Sequence, residues 1–315
     1  MTRAVCSSSV PSRCPTWHSM LSERCSTTSE WWCAMDKRSS YPRFAALAEL
    51  PDTELPLAES ALIVAVAEYP GLEVDHYLSV IDGYADVIQA ESTVGESTSD
   101  LVERVRDLLF DRRGFLGNAA DFYAPDNSFL NRVIDTRQGI PITLSVLFLE
   151  VCWRVGVPMV GVSLPGRFMV GLFEHQHNRI YDPFGGGHQL TTAQIEAKLK
   201  EMFGAQSVDH NLLYKLLRPT TSREILSRIL RNLKSIYATT GQFDQCLAAI
   251  DRMLLLTPDE PTELRDRGFV LSRLDCIDAA RADLLHYLEL CPDANDAADI
   301  ERWLKSTASA VRRLN

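Results

Sequence analysis

His175 and His177 stand two residues apart in Glu174-His-Gln-His-Asn178, a spacing that puts both imidazoles on one face of an extended segment. His188 lies near enough in sequence to offer a third nitrogen ligand. No Asp, Glu or Cys is spaced to complete such a site, so these imidazoles are expected to be solvated and no metal is expected. Gly185-Gly-Gly187 has the flexibility to turn backbone amides toward a phosphate, yet no Lys-Ser/Thr pair follows and no strand-to-helix loop surrounds it. A plain turn is expected there, with no cofactor. Cys6, Cys14, Cys25 and Cys33 are separated by seven, ten and seven residues. A zinc site needs about two to four between paired ligands. Ser145 sits in an apolar helical stretch, where a hydroxyl without a base is a weak nucleophile and more naturally bonds a carbonyl of its own helix.

Side chains do chemistry only when a core holds them, and 46% of the 315 residues are apolar, enough to build one. The formal charge of -10 sets the whole-molecule field against nucleic acid and anionic membranes, so neither is an expected partner. The longest apolar run, Ala61 to Ala67, is far short of the ~18 residues that span a bilayer. Cys152, Cys246, Cys276 and Cys291 are scattered singly, as suits a reducing compartment, and a cytoplasmic location is expected. Residues 1–40 differ in kind: they hold ten serines and four of the eight cysteines without helical or strand periodicity. They read as a disordered leader or a mis-assigned start, with Met35 opening the globular sequence.

From residue 41 the pattern is α+β. Leu57 to Glu68 has helical spacing and stops at Tyr69-Pro-Gly71. Val74 to Ala90 places Val74, Tyr77, Leu78, Ile81, Tyr84, Ala85 and Ile88 on one face. A third helix, capped by Ser97 or Ser99, has Leu101, Val105, Leu108 and Leu109 as its stripe. Asp126 or Asn127 is placed to cap a short helix through Phe129 and Ile134. Pro141 suits the first turn of the next, Ile142 to Val155, which is apolar nearly all round and so belongs at a domain centre. Met159 to Leu164, Phe168 to Phe173 and Arg179 to Tyr181 read as a small antiparallel sheet, and helix resumes at Thr192.

The last third repeats itself. Tyr237 and Leu271, Gly241 and Asp275, Cys246 and Ala280, Met253 and Tyr287, and Pro258 and Pro292 are each 34 residues apart, the period of a tetratricopeptide helix-turn-helix. Two units need a cap, and Ala294 to Leu314 can supply it. The first helix of each unit lines the groove of such a repeat. The inward candidates are Arg228, Arg231 and Ser235 in the first unit, with Arg265, Phe269 and Ser272 in the second. Arginines beside an aromatic ring favour an acidic peptide or a chain-end carboxylate, unless Asp266 and Glu263 neutralise them first.

The ordered run Asn127-Ser-Phe-Leu-Asn131, Arg137-Gln-Gly-Ile-Pro-Ile-Thr-Leu-Ser145, Gly156-Val-Pro158, Leu164-Pro-Gly-Arg-Phe168 and Asp182-Pro-Phe-Gly-Gly186 resembles the transglutaminase-like domain of the Sir-B invasion-regulator family of bacterial proteins. Arg265-Asp-Arg-Gly268 and Leu274-Asp-Cys276 in the repeats look like the same family, and the likeness covers about residues 57–312. The wider transglutaminase and papain-like superfamily implies a Cys at the start of a central helix, a His on a following strand and an Asp on the next. Here the helix start offers Thr143 and Ser145 but no Cys, with Cys152 two turns further on. The His position of the Pro-Gly-His-Phe pattern is Arg167, which cannot accept a proton. Asp182 matches the third position and is expected to pair with Arg167.

The expectation is therefore a helical N-terminal subdomain and degenerate transglutaminase-like core over 41–218, then an all-α repeat domain over 219–315. Its expected role is a non-catalytic protein-interaction or regulatory module, with Ser145, Arg167 and Asp182 vestigial and Arg228, Arg231, Arg265 and Phe269 in a peptide groove. The competing reading is an amide-directed hydrolase or acyltransferase using Ser145, which would need His188 or His175 to approach as base.

Overall fold

The computed structural model of the chain describes residues 40–314 apart from 165, 175–176 and 204–217. The first 39 residues, with Met35, lie outside the described residues.

Helix α1 (Ser40–Ala48) is followed by α2 (Leu57–Val66), α3 (Val74–Glu91) and α4 (Thr98–Arg106), which widens into a turn of π-helix over Asp107–Arg112. Ser97 caps α4, its hydroxyl accepting from the Asp100 amide. On α3, Val74, Ile81, Ala85 and Ile88 form the buried stripe that their spacing requires, while α2 buries eight of its ten residues. Strand β1 (Leu116–Gly117) comes next, then a 3-10 turn over Pro125–Ser128, helix α5 (Leu130–Thr136) and strand β2 (Gln138–Gly139), parallel to β1. The expected cap of α5 by Asp126 or Asn127 is not what forms: both lie in the 3-10 turn, and Phe129 precedes the helix without a side-chain cap. The Asn127 amide is spent instead on the Asp121 carbonyl at 2.6 Å.

Helix α6 (Pro141–Arg154) is the axis of the core, with Ile142 to Cys152 all buried. Pro141 starts it, and the Thr143 hydroxyl accepts from the Ile140 amide at 3.2 Å. Strands β3 (Val160–Leu164), β4 (Arg167–Glu174), β5 (His177–Asp182) and β6 (His188–Leu190) then run as an antiparallel sheet, and helix α7 (Thr192–Phe203) follows. A fifth strand, β7 (Pro219–Thr220), pairs with β3 at the opposite edge, giving the order β6-β5-β4-β3-β7. The sheet divides two cores by the alternation of its pleat. Phe168, Val170, Leu172 and Tyr181 face the large core around α6. Val162, Leu164, Met169 and Ile180 face a smaller cluster with Ile195 of α7.

The repeats follow as α8 (Ser222–Thr240), α9 (Phe243–Leu256), α10 (Pro261–Arg273) and α11 (Ile277–Leu290), with α12 (Ala297–Leu314) after them. Thr221 and Glu224 form a capping box at the start of α8. Gly241 and Asp275 occupy the same left-handed turn conformation, at φ 73° and 57°, so Asp serves where the first unit uses Gly. Pro258 and Pro292 each fall two residues past the end of the second helix of their unit. Leu226, Leu230 and Ile250 share the large core with Leu62, Phe148 and Val170, so the first repeat is packed onto the rest of the chain. Arg223 fastens this joint, donating to the carbonyls of Ala48, Leu50 and Leu256 at 2.8–3.0 Å and to Asp52.

Gly268 lets the two helices of the second unit meet. A Cβ there would sit 2.6 Å from Leu284 Cγ and 3.2 Å from the Ala280 carbonyl oxygen. Helix propensity would favour Gly268→Ala by up to about 1 kcal/mol, whereas forcing a methyl into a filled core costs about 1–3 kcal/mol. The clash is the larger effect, and a net loss of about 1–2 kcal/mol is expected in urea denaturation. A stabilised variant would contradict this account of the repeat.

Candidate functional site

Two places bear on function: the positions around Ser145, expected to be vestigial and used only in the competing hydrolase reading, and the groove of the repeats, expected to bind a peptide. At the first, chemistry has been absorbed by structure. Ser145 is fully buried on α6, and its hydroxyl donates to the Pro141 carbonyl at 2.7 Å. Thr143, also buried, donates to the Asn127 carbonyl at 2.7 Å. Cys152 is fully buried, and burial alone pushes its thiol far above the ordinary range, so no thiolate forms there.

Arg167 and Asp182 do not complete a constellation with Ser145. Arg167 is in register with Leu164, and Asp182 lies two residues after Ile180, so by the pleat both belong to the face turned away from α6. The sheet itself separates them from the serine. Nor do they form the expected ion pair. Asp182 is 7% exposed, accepts from the Gly185 amide at 3.3 Å, and has Lys198 of α7 at 3.2 Å. Lys198 was missed in sequence because α7 follows a turn whose direction the motif spacing does not encode. The Arg167 carbonyl accepts from Arg228. Among the tip histidines, His175 lies outside the described residues, and His188 is exposed on β6. Gly185-Gly-Gly187 forms a turn in which the Gly187 amide donates to the Asp182 carbonyl at 2.8 Å. Among the described residues no three His, Cys, Asp or Glu cluster as metal ligands.

The second place is open. A groove of about 520 Å³ runs between α8, α9 and α10. Phe243, Cys246, Ile250, Phe269 and Val270 contribute apolar lining, and Arg231, Lys234, Asp266 and Arg273 contribute charge. Burial pushes the Cys246 thiol up to about 11, so it is a neutral packing residue there.

Of the residues expected to line it, Arg231, Ser235 and Phe269 do. Arg228 does not: its guanidinium turns to the sheet, donating to Ser163 Oγ at 2.5 Å and to the carbonyls of Leu164 and Arg167, above the Phe168 ring. The reason is the packing of α8 on the core, which an isolated repeat pattern does not reveal. Arg265 also lies outside the lining. It pairs with Asp266 at 2.8 Å and Asp296 at 3.2 Å beside the Tyr287 ring, joining the second unit to the loop before α12. Lys234 and Arg273 are lining residues that the sequence did not single out. Their signal was helical spacing, since Lys234 is one turn from Arg231 and Arg273 one turn from Phe269.

Comparison with known proteins agrees with this architecture. Residues 75–231 match the transglutaminase-like superfamily and residues 233–305 match the tetratricopeptide repeat. A UPF0162 protein of Xylella fastidiosa is 37% identical over 255 residues, covering 81% of this chain and 91% of the relative. One from Vibrio cholerae is 33% identical over 214 residues, covering 65% and 73%. The protein SirB1 of Salmonella typhimurium is 23% identical over 249 residues, covering 79% and 91%. A transglutaminase-like core that runs straight into tetratricopeptide helices, together with 37% identity to a UPF0162 protein along 91% of that relative, places the chain in the family of UPF0162 and SirB1 proteins.

Proposed function

We propose that the chain is a non-catalytic protein-interaction and regulatory module of the cytoplasm, in which the transglutaminase-like core serves as a platform for the repeats. The observation that carries this reading is the Ser145 hydroxyl, buried and bonded to the Pro141 carbonyl, on the helix where an acyl-transfer enzyme of this superfamily needs an activated nucleophile. A hydrolase would also need a base at that hydroxyl, and Arg167, at the superfamily's His position, lies on the face of the sheet turned away from it. Against this stands an open groove with an aromatic ring, Phe269, exposed on its wall, which is the arrangement that recognises a chain segment. The free thiols of Cys152, Cys246 and Cys291 suit the reducing cell interior.

Two measurements test the reading. A fluorophosphonate probe is expected to leave the native chain unlabelled; labelling that disappears in Ser145→Ala would reinstate the enzyme. Affinity capture from the source cell with the full-length chain is expected to return a partner that Phe269→Asp loses. Equal recovery by both proteins would remove the groove from the function.

A further inference from the structure

The groove carries charge that the fold does not use. Its lining has three cations against one carboxylate, Asp266, in a chain of net charge -10. Lys234 is already neutralised, with Glu263 at 2.7 Å and Asp266 at 2.8 Å. Asp266 is saturated in turn, because its second oxygen accepts from Arg265. That leaves two guanidinium groups. The Arg231 side chain is 57% exposed, and its nearest carboxylate, Glu263, is 3.9 Å away, beyond hydrogen-bond reach. Arg273 is exposed at the end of α10 and has no ion pair among the described residues.

Their separation fixes a length. The Arg231 guanidinium stands beside Glu263, ten residues before Arg273 on α10. At the helical rise this is ~15 Å. An extended chain covers that distance in roughly four residues. Phe243, Ile250 and Phe269 supply apolar surface in the same groove.

We propose that the groove binds an extended acidic peptide with two carboxylates about four residues apart, one held by Arg231 and the other by Arg273, and an apolar side chain between them against Phe269. This deepens the interaction reading and rests on it. Each arginine offers a planar fork of donors that a carboxylate can accept in bidentate fashion, and among the described residues neither has an intramolecular hydrogen bond to break. An acidic ligand would otherwise be repelled by the chain as a whole, so local positive charge in the groove also selects against peptides that fit only by shape.

The test uses the full chain and fluorescein-labelled peptides in which two glutamates flank one leucine in a serine background, their spacing stepped from adjacent to seven residues, with a lysine-for-glutamate series as mirror. Fluorescence anisotropy is expected to give saturable binding that is tightest near a four-residue spacing, weakens with added salt, and is absent for the mirror series. Arg231→Glu and Arg273→Glu should each weaken binding about tenfold or more, and Arg273→Glu should do so without shifting the melting temperature, because its side chain is exposed. The double reversal should bind the lysine series in preference. Equal binding of the two series, indifference to both substitutions, or no binding of any glutamate peptide at millimolar concentration would each overturn the proposal. If the glutamate peptides fail while Phe269→Asp still abolishes capture of a cellular partner, only the acidic-peptide assignment falls; if capture also survives Phe269→Asp, the interaction reading falls with it.

Discussion

Replacing Arg267 by methionine is expected to cost the folded chain about 3–5 kcal/mol at neutral pH. Arg267 is the ionic centre of the repeats. Its Nε and Nη2 donate to the two oxygens of Asp283 at 2.7 and 2.8 Å, a bidentate pair, and its Nη1 donates to Asp251 at 3.1 Å. The Arg267, Asp283 and Asp251 side chains are only 9%, 6% and 13% exposed. Methionine keeps much of the volume but strands two carboxylates where water cannot replace their partner, which costs more than removing the whole group. Arg267→Met combined with Asp283→Leu should therefore be more stable than Arg267→Met alone.

The loss has a pH signature. Burial raises the Asp251 carboxyl above the ordinary aspartate range, although Arg267 pulls it back. A carboxyl raised by folding binds its proton more tightly in the native state, so its stabilising contribution is complete below the unfolded value and is lost as pH rises through the folded one. Without Arg267 the folded value climbs further, and Arg267→Met should lie closer to wild type near pH 4 than near pH 7. Glu224 behaves oppositely: Arg218 lowers its carboxyl, so its contribution is present above the ordinary glutamate range and is lost as pH falls. That contribution is common to both proteins and cancels in the difference. Urea midpoints at the two pH values read the effect, and a loss under about 1 kcal/mol at pH 7 would show that the network is not a stability determinant. The consequence reaches the groove, because α10 carries both Arg267 and the groove residues Phe269 and Arg273. An unstable second unit would lose ligand binding with every groove residue intact.

The sequence disclosed elements more fully than contacts, and the reason is physical. Helical periodicity and stop signals are local, so the helices beginning at Leu57 and Val74, and the turns at Gly241 and Asp275, could be read directly. β7 could not, since two residues carry no period and the pairing of Pro219–Thr220 with β3 joins distant segments. The same distinction runs through the site. Ser145 as a helix residue bonded to a carbonyl of its own helix, that of Pro141, followed from local geometry, and so did the burial of Cys152. The partners of Asp182, Arg228 and Arg265 depend on which face of an element meets which neighbour. Repeat spacing assigned all three arginines of the groove to one surface, yet α8 packs against the sheet and draws Arg228 away to Ser163 and Phe168. Arg273 was hidden for the converse reason: it ends a helix, where the inward face is set by the neighbouring unit.

Glu150→Ala is expected to destabilise the chain by about 2–4 kcal/mol, and the partition of that loss bears on function. Glu150 is 6% exposed on α6 and accepts from the Ala58 amide at 2.7 Å, in the first turn of α2. Pro56 precedes α2 without a side-chain cap, so a carboxylate from a different helix does the capping, with the favourable sign for a helix N-terminus. Arg154 donates to its other oxygen and also to Asp82 at 2.5 Å. Alanine orphans a buried amide and removes a charge-assisted bond. Glutamine keeps an acceptor for Ala58 and should recover about half the loss. Asp82→Ala, at an exposed carboxylate, should change stability by no more than about 0.5 kcal/mol. Glu150 is also the one acidic side chain on α6, five residues and about 140° around the helix from Ser145, with both oxygens committed to Ala58 and Arg154. If it were instead a reserve base for that hydroxyl, Glu150→Gln would leave stability near wild type, and fluorophosphonate labelling of Ser145 would occur in the native chain and vanish in the variant. A loss graded from Ala to Gln, without labelling in any of the proteins, is what a helix cap requires.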